Sequence, residues 1–177
     1  MRQAPQMKLL TTRRLNLRSL KLSDAADVSA LMTPKVSRWL TNFPTPFSTT
    51  DAASRIRRIG EAEAAGRACV FGFERTEDRA FVGWFGVYLN ATRSFGVLGY
   101  WLGEKYQGAG FMREGAPVAL AVAKKRLNII ALQAFIHPDN LPSLALAQSL
   151  GLAAVGEKMV YASARDQDEL CTHVATP

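Results

Sequence analysis

The 177-residue sequence predicts one α+β domain, in which a meander of strands leads into a glycine-rich turn and a helix. Three apolar runs separated by short polar turns predict adjacent antiparallel strands at residues 68–74, 80–89 and 95–102. The turn at residues 106–110 then opens a helix with an apolar face at residues 111–126. A hydrophobic content of 48% fits a globular chain with a sizeable core. We therefore expect residues 1–177 to form a single domain.

Four elements precede the meander. They are a strand at 15–20, a helix from residue 23, a proline-broken stretch of short helix and loop at 33–49, and a helix at 50–65. Thr50 and Asp51 are typical of a helix N-cap, and Gly66 is typical of the residue that ends a helix. These signals predict helices on at least one face of the meander.

The elements after the central helix repeat the alternation of strand and helix. They are a strand at 129–136, a short helix that begins near Asn140 and ends at Gly151, and two final strands at 153–162 and 169–175. No internal repeat, low-complexity tract or linker interrupts them, which supports one domain.

The turn between the strand at 95–102 and the following helix has the composition of an anion cradle. The first N–H groups of a helix lack intrahelical partners, and glycines such as Gly108 and Gly110 allow a close backbone approach to a ligand. The P-loop pattern is absent, because Phe111 and Met112 follow the turn, and Arg113 replaces the third glycine of the dinucleotide fingerprint. The cradle competes here with a plain glycine turn that joins a strand to a core helix.

The net charge of +7 is concentrated in the first part of the chain. Residues 1–75 carry 13 Lys and Arg against 6 Asp and Glu, whereas residues 76–177 carry 9 of each. Solvated helix faces explain this asymmetry, and so does an anionic partner such as an acidic substrate or an RNA-rich particle. Both explanations stay open.

Several classes of protein are disfavoured by what the sequence lacks. No secretory segment and no apolar run of the roughly 18 residues needed to span a membrane is visible, so we expect a cytoplasmic protein. Cys69 and Cys171 have no pairing motif and are expected to be reduced core residues. With only His137 and His173 besides, no metal-ligand spacing exists, and we expect no metal.

Three ordered motifs identify a family resemblance. They are the loop Gln107-Gly108-Ala109-Gly110-Phe111-Met112, the later Asn140-Leu141-Pro142-Ser143 followed by Leu150-Gly151-Leu152, and the opening Thr12-Arg13-Arg14-Leu15-Asn16-Leu17-Arg18. Together with the strand Leu98-Gly99-Tyr100-Trp101-Leu102, they resemble the GNAT acetyltransferase superfamily, in particular its ribosomal-protein N-terminal acetyltransferase (RimJ/RimL-like) branch. The resemblance covers about residues 9–174. Met112, Leu152 and one extra arginine depart from the general pattern.

The resemblance implies a three-layer α/β/α fold, whose mixed, mostly antiparallel sheet splays open between its fourth strand (95–102) and fifth strand (129–136). Acetyl-CoA is expected in that opening, with Lys105 adding charge near its phosphates and Trp39, Phe43 and Phe47 on the acceptor side or in the core. The expected acetyl-CoA-binding residues are Trp101, Leu102, Gln107, Gly108, Ala109, Gly110, Phe111, Met112, Asn140 and Ser143.

The implied reaction is direct transfer of the acetyl group to a primary amine in a ternary complex. The Leu102 region would offer a backbone N–H to the developing oxyanion, and Ser143 would act as the acid for the departing thiolate. Helix capping is the alternative role for Asn140 and Ser143. The resemblance does not locate a general base: Val97 and Leu98 occupy positions where a carboxylate is common.

The other possible bases are Glu104, Glu114 and Tyr161, none of which the motifs identify. A missing strong base favours an acceptor such as a protein N-terminus, because an α-amine of pKa about 7.7–8.0 is substantially neutral at physiological pH. The alternatives are an acetyltransferase for a small-molecule amine and a non-catalytic acetyl-CoA-binding module. A ribosomal or other anionic docking surface and either a monomer or a homodimer are compatible with the sequence.

Overall fold

The computed structural model describes residues 9–177, which form one eight-stranded sheet with helices on both faces. The strands are β1 (Leu10–Thr11), β2 (Leu15–Arg18), β3 (Ala68–Arg75), β4 (Phe81–Leu89), β5 (Gly96–Leu102), β6 (Leu132–Ile136), β7 (Ala153–Ala162) and β8 (Gln167–Ala175). The α-helices are α1 (Ala25–Leu31), α2 (Pro34–Ser37), α3 (Thr49–Ala64), α4 (Phe111–Leu127) and α5 (Leu141–Ser149). Two short 3₁₀ turns, Leu22–Asp24 and Glu104–Tyr106, precede α1 and α4.

The sheet is mostly antiparallel, with the strand order β1-β2-β3-β4-β5-β6-β8-β7. Only β5 and β6 run parallel, and they pair through two positions alone, Gly96 with Leu132 and Val97 with Gln133. Beyond Val97 the two strands separate, so the predicted splay is confirmed. The two-residue strand β1, which the sequence pattern does not predict, makes these the fifth and sixth strands rather than the fourth and fifth.

The helices form two layers that enclose two apolar clusters. Helices α1 and α3 pack with Phe43 and with one face of β3 to β5, where Trp84 and Trp101 contribute the largest rings. Helices α4 and α5 pack on the other face, against fully buried side chains such as Phe71 and Phe85. The sheet therefore lies between two helical layers, as the predicted α/β/α arrangement requires.

Among the element boundaries that differ from the predicted ones, two have clear local reasons. Helix α3 begins after Ser48, not at Thr50, because Ser48 and Asp51 form a reciprocal capping box. Strand β6 begins at Leu132, three residues later than predicted. The delay arises because α4 ends in a left-handed residue, Asn128, after which the chain needs a turn before it can join the sheet.

Several predictions about individual residues can be compared with residues 9–177. Cys69 and Cys171 are buried, as predicted, and burial raises the pKa of the Cys69 thiol to about 11. In this part of the chain, no group of three or more His, Cys, Asp or Glu side chains could hold a metal ion. None of its helices has both the length and the apolar character needed to cross a membrane.

The substitution Gly115→Ala is expected to destabilise the protein. The steric cost is about 1–3 kcal/mol, and the higher helix propensity of alanine offsets part of it. A Cβ there would lie 2.6 Å from Cε2 of the fully buried Phe73 ring and 3.1 Å from Cδ1 of Leu15. Gly60 is the matched control, because it is also helical and nothing lies within 4 Å of its Cβ position. Urea unfolding should therefore show Gly115→Ala destabilised and Gly60→Ala stabilised; equal effects would contradict the tight α4 contact.

Candidate active site

A cleft of about 1100 Å³ runs through the opening between β5 and β6. One half is lined by the open edges of both strands and by the first turns of α4 and α5. The other half is lined by the segment after α2, by one face of α3 and by aromatic residues of the sheet. All the residues predicted to bind acetyl-CoA line this cleft except Ala109. The fold thus brings both ends of the motif region into one cavity.

The start of α4 forms a cradle of unbonded backbone donors. Gly108 and Gly110 have φ values of +74° and +80°, which only glycine adopts readily, and α4 begins directly after Gly110 without a side-chain cap. Among the described residues, no acceptor bonds the N–H groups of residues 108–113. These donors and the positive end of the helix dipole suit a diphosphate.

The cradle is tied to the N-terminal strands by a carboxylate. Glu114 accepts hydrogen bonds from the Thr12 hydroxyl (2.6 Å), the Arg14 backbone N–H (2.7 Å) and Arg14 Nε (2.7 Å). Arg14 Nη1 also donates to the Ala109 carbonyl at 3.0 Å, and its guanidinium lies over the Phe111 ring. Burial acts to raise the pKa of Glu114, but the hydrogen bonds from Thr12 and Arg14 outweigh it and lower the pKa below its usual range. Glu114 is therefore a structural anion.

The open edge of β5 presents a row of backbone groups to the cleft. Gly96 N–H bonds the Ala131 carbonyl across the parallel pair, so by strand alternation the N–H groups of Leu98, Tyr100 and Leu102 point the same way. Beyond Val97 that side of the strand has no β6 partner. The backbone of Trp101 faces β4 instead, and its ring lines the other half of the cleft. Leu102 therefore offers a donor where the resemblance expects one.

Asn140 and Ser143 form the start of α5. The Asn140 side-chain oxygen accepts from the Ser143 backbone N–H at 3.3 Å, so the capping role that the sequence left open is present. In the part of the chain that the structure describes, the Asn140 side-chain nitrogen has no hydrogen-bond partner, and Asn140 lines the cleft. The residue can thus cap the helix and still donate to a ligand.

A hydroxyl pair spans the cleft wall between β5 and α5. The Tyr100 hydroxyl lies 2.8 Å from Ser143 Oγ and 3.2 Å from the Ser143 carbonyl, in hydrogen-bond contact with both. Burial raises the pKa of Tyr100 above its ordinary value, although the hydrogen bond with Ser143 acts to lower it. The phenol therefore stays protonated near neutral pH. The pair can therefore act as a proton donor at neutral pH.

The second half of the cleft is aromatic and basic. Phe43 packs against Trp84 and Trp101 at centroid distances of 5.6 and 6.4 Å, and Trp39 lines the same half. Phe47 is buried and does not line this cleft, whereas Phe43 is both buried and part of the lining. Two arginines of α3, Arg55 and Arg58, complete the lining.

The cleft lining contains no Asp, Glu or His side chain from residues 9–177. Of the carboxylates near the turn, Glu104 bonds Lys35 at 2.7 Å and Glu114 is held by Arg14. Tyr161 is exposed and hydrogen-bonded to Asp166, away from the cleft. Lys105 lies over the Tyr106 ring and is absent from the lining. The arrangement can bind and orient two reactants but offers no lining carboxylate as a base.

The sequence did not identify five residues of the site: Arg14, Arg55, Arg58, Tyr100 and Arg113. Tyr100 and Arg113 are sequence neighbours of the predicted site residues, so the motifs could have indicated that both lie beside the site. Arg14 contacts the turn at Ala109, which is 95 positions away in the sequence, and the sequence carries no local signal for such a contact.

Comparisons with known proteins agree with this geometry. A family model described as "Acetyltransferase (GNAT) domain" matches residues 14–153. The "Uncharacterized N-acetyltransferase p20" of Bacillus licheniformis is 28% identical over 162 residues, 90% of each chain.

Two solved structures show the same fold. RimJ of Mycobacterium smegmatis, in complex with CoA-disulfide, has a TM-score of 0.80 and 19% identity, covering 99% of this chain and 89% of that one. The Salmonella typhimurium acetyl transferase that modifies the N-terminal serine of 50S ribosomal subunit protein L7/L12 also has a TM-score of 0.80, with 16% identity over 95% of this chain and 98% of that one.

Proposed function

The chain belongs to the GNAT acetyltransferase family, and on that premise we propose that it transfers the acetyl group of acetyl-CoA to a protein N-terminal α-amine. The transfer is direct and takes place while both substrates are bound. The proposal rests above all on the continuous cleft, which joins the cradle at residues 108–113 to the aromatic half through the open edge of β5. Holding both reactants in one cavity is itself a large contribution to rate.

The residues of the first half fit the parts of acetyl-CoA, which supplies an activated thioester. The unbonded N–H groups at the start of α4 would hold the diphosphate. The open backbone of Leu98 and Tyr100 would pair with the pantetheine amides as an added strand does. The side-chain nitrogen of Asn140 would donate to the same arm.

Two groups would assist the chemical step. The Leu102 N–H points into the opening and would stabilise the negative charge that develops on the acyl oxygen. Ser143 would donate its hydroxyl proton to the departing sulfur, and the proton that the amine loses on acetylation would restore the hydroxyl. The Tyr100 hydroxyl, 2.8 Å away, would orient it. A thiol has a pKa near 8.5, so this proton transfer needs only modest assistance.

The acceptor is inferred from the lining of the second half. A cleft without a lining carboxylate or histidine favours an amine that is already neutral in part, and an α-amine at pKa about 7.7–8.0 meets that condition better than a lysine at about 10.4. The Salmonella relative, which modifies an N-terminal serine, supports the same substrate class. A ribosomal docking surface, a cytoplasmic location and a monomer or homodimer stay predictions.

The test is release of free thiol from acetyl-CoA with peptides that begin with Ser, Ala or Met, a lysine peptide blocked at its N-terminus, free amino acids, polyamines and aminoglycosides. We expect turnover on one class of N-terminal peptide. Asn140→Ser should keep the α5 cap, because serine is also a good N-cap residue. It should raise the KM for acetyl-CoA about tenfold, because the shorter serine side chain cannot replace the Asn140 nitrogen as a donor to the coenzyme. Ser143→Ala should lower kcat more than it changes KM.

The outcomes separate the proposal from its alternatives. Turnover on polyamines or aminoglycosides alone would replace it with a small-molecule acetyltransferase. Faster transfer to the blocked lysine peptide than to any N-terminal peptide would refute the α-amine assignment. Tight acetyl-CoA binding without turnover on any acceptor would favour a non-catalytic binding module.

A further inference from the structure

Two arginines on one face of α3 lie in the acceptor half of the cleft. Arg55 and Arg58 are three residues apart, so their side chains share a face of the helix, and both line the cavity. Arg55 is partly buried, and Arg58 is exposed. Arg57 lies between them in sequence and is also exposed, but it does not line the cavity. The acceptor half therefore carries positive charge and, within residues 9–177, no lining carboxylate.

The surroundings of Arg55 leave its charge uncompensated. Its guanidinium lies 4.5 Å from the Phe43 ring centroid, and its one hydrogen bond within residues 9–177 is from Nη2 to the Asn42 carbonyl. Its Nε is buried and has no hydrogen-bond partner among the described residues. No carboxylate of residues 9–177 lies within 4 Å of Arg55 or Arg58. Burial, and then the charge of Arg58, lower the pKa of Arg55.

Two other partly buried arginines, Arg18 and Arg165, have carboxylate partners. Arg18 contacts both Asp24 and Glu74, and Arg165 contacts Glu169 through two hydrogen bonds. A partly buried cation without an anion is costly, and Arg55 lies at a cleft where a bound ligand can supply the missing charge. The buried Nε1 of Trp101, which has no hydrogen-bond partner in the part of the chain that the structure describes, belongs to the same half of the cleft.

We propose that Arg55 and Arg58 bind an anionic group of the acceptor, a carboxylate or a phosphate, that lies close to the reacting amine. This inference rests on the proposed function: the preferred substrate is then a protein N-terminus whose first residues include an acidic or phosphorylated side chain. The two guanidinium groups determine specificity by charge and by their planar hydrogen-bonding geometry, which matches carboxylate and phosphate oxygens. They act on acceptor binding and leave the chemical step to the residues of β5 and α5.

The test compares tetrapeptide amides that begin with serine and carry glutamate, phosphoserine or glutamine at the second or third position. We expect the wild-type KM for the better anionic peptide to be at least about tenfold below that for its glutamine counterpart. Arg58→Gln should abolish this difference, and the matched Arg57→Gln variant should retain it. Arg55→Lys should retain part of the preference, because lysine keeps the positive charge but lacks the planar guanidinium that can donate two parallel hydrogen bonds. The relative KM values for glutamate and phosphoserine identify which anion is bound.

A binding measurement separates this inference from the proposed function. Trp39, Trp84 and Trp101 line the cleft, so intrinsic fluorescence of the CoA-loaded protein can report peptide binding without turnover. Preferential binding of the anionic peptides that is lost in Arg58→Gln supports the inference even if no peptide is acetylated, a result that would count against the proposed function alone. Equal binding of charged and neutral peptides, or equal losses in Arg57→Gln and Arg58→Gln, would overturn the inference while peptide turnover still stood.

Discussion

Replacing Gly110 with valine is expected to weaken coenzyme A binding by about 100-fold, the loss of one or two charge-assisted hydrogen bonds. Gly110 has a φ of +80°, a conformation that a β-branched residue avoids. The variant backbone should therefore relax to negative φ, which rotates the adjoining peptide groups and redirects the N–H donors at the start of α4. Isothermal titration of CoA against wild type and variant measures the change.

Gly151 provides the matched control for this substitution. It has a φ of +87°, lies just after α5, and nothing lies within 4 Å of its Cβ position. Gly151→Val should therefore carry comparable backbone strain and lower the melting temperature similarly, while CoA affinity stays within about twofold of wild type because the cradle is untouched. If both variants lost CoA affinity equally, general destabilisation rather than the cradle would be responsible.

The cradle was predictable because its determinants are local in sequence. A strand, two glycines and a helix start within about fifteen residues specify the turn, and Asn140 and Ser143 follow the next strand at a recognisable spacing. The splay between the strands that end at Leu102 and Ile136 came from the family resemblance to these motifs. Short-range sequence signals and the family resemblance together therefore predicted the half of the cleft that we propose binds acetyl-CoA.

The long-range side-chain contacts of the site were not predictable, because the residues that make them meet only in the folded chain. Arg55 had the appearance of one charge on a solvated helix face, yet tertiary packing places it over Phe43 with no carboxylate of residues 9–177 beside it. Likewise Tyr100 and Ser143 are 43 positions apart, and Arg14 meets Glu114 across 100 positions. A single sequence records residue types at such positions but not which of them will touch.

Arg18→Ala is expected to destabilise the protein by about 3–5 kcal/mol, the typical cost of removing one partner from a buried ion pair. The Arg18 side chain is 13% exposed, and it bonds Asp24 through both Nη atoms at 2.9 Å and Glu74 through Nε at 2.8 Å. These contacts tie β2 to β3 and to the start of α1. Urea unfolding followed by circular dichroism measures the change in the free energy of unfolding. A change below about 1 kcal/mol would show that the ion pairs of Arg18 contribute no more than exposed ion pairs do.

The size of that loss should depend on what the substitution leaves behind. Without Arg18, Asp24 keeps only its hydrogen bond from the Lys21 backbone, whereas Glu74 keeps Arg79 at 2.7 Å and Asn16 at 3.4 Å. Asp24→Asn added to Arg18→Ala removes the stranded charge and keeps an oxygen for Lys21, so the double variant should be more stable than Arg18→Ala by about 1–2 kcal/mol. In the wild-type background, the same Asp24→Asn change should destabilise the protein, because it weakens the bonds to Arg18. Opposite signs in the two backgrounds would locate the cost in the desolvated carboxylate; equal signs would locate it in lost packing of the Arg18 stem.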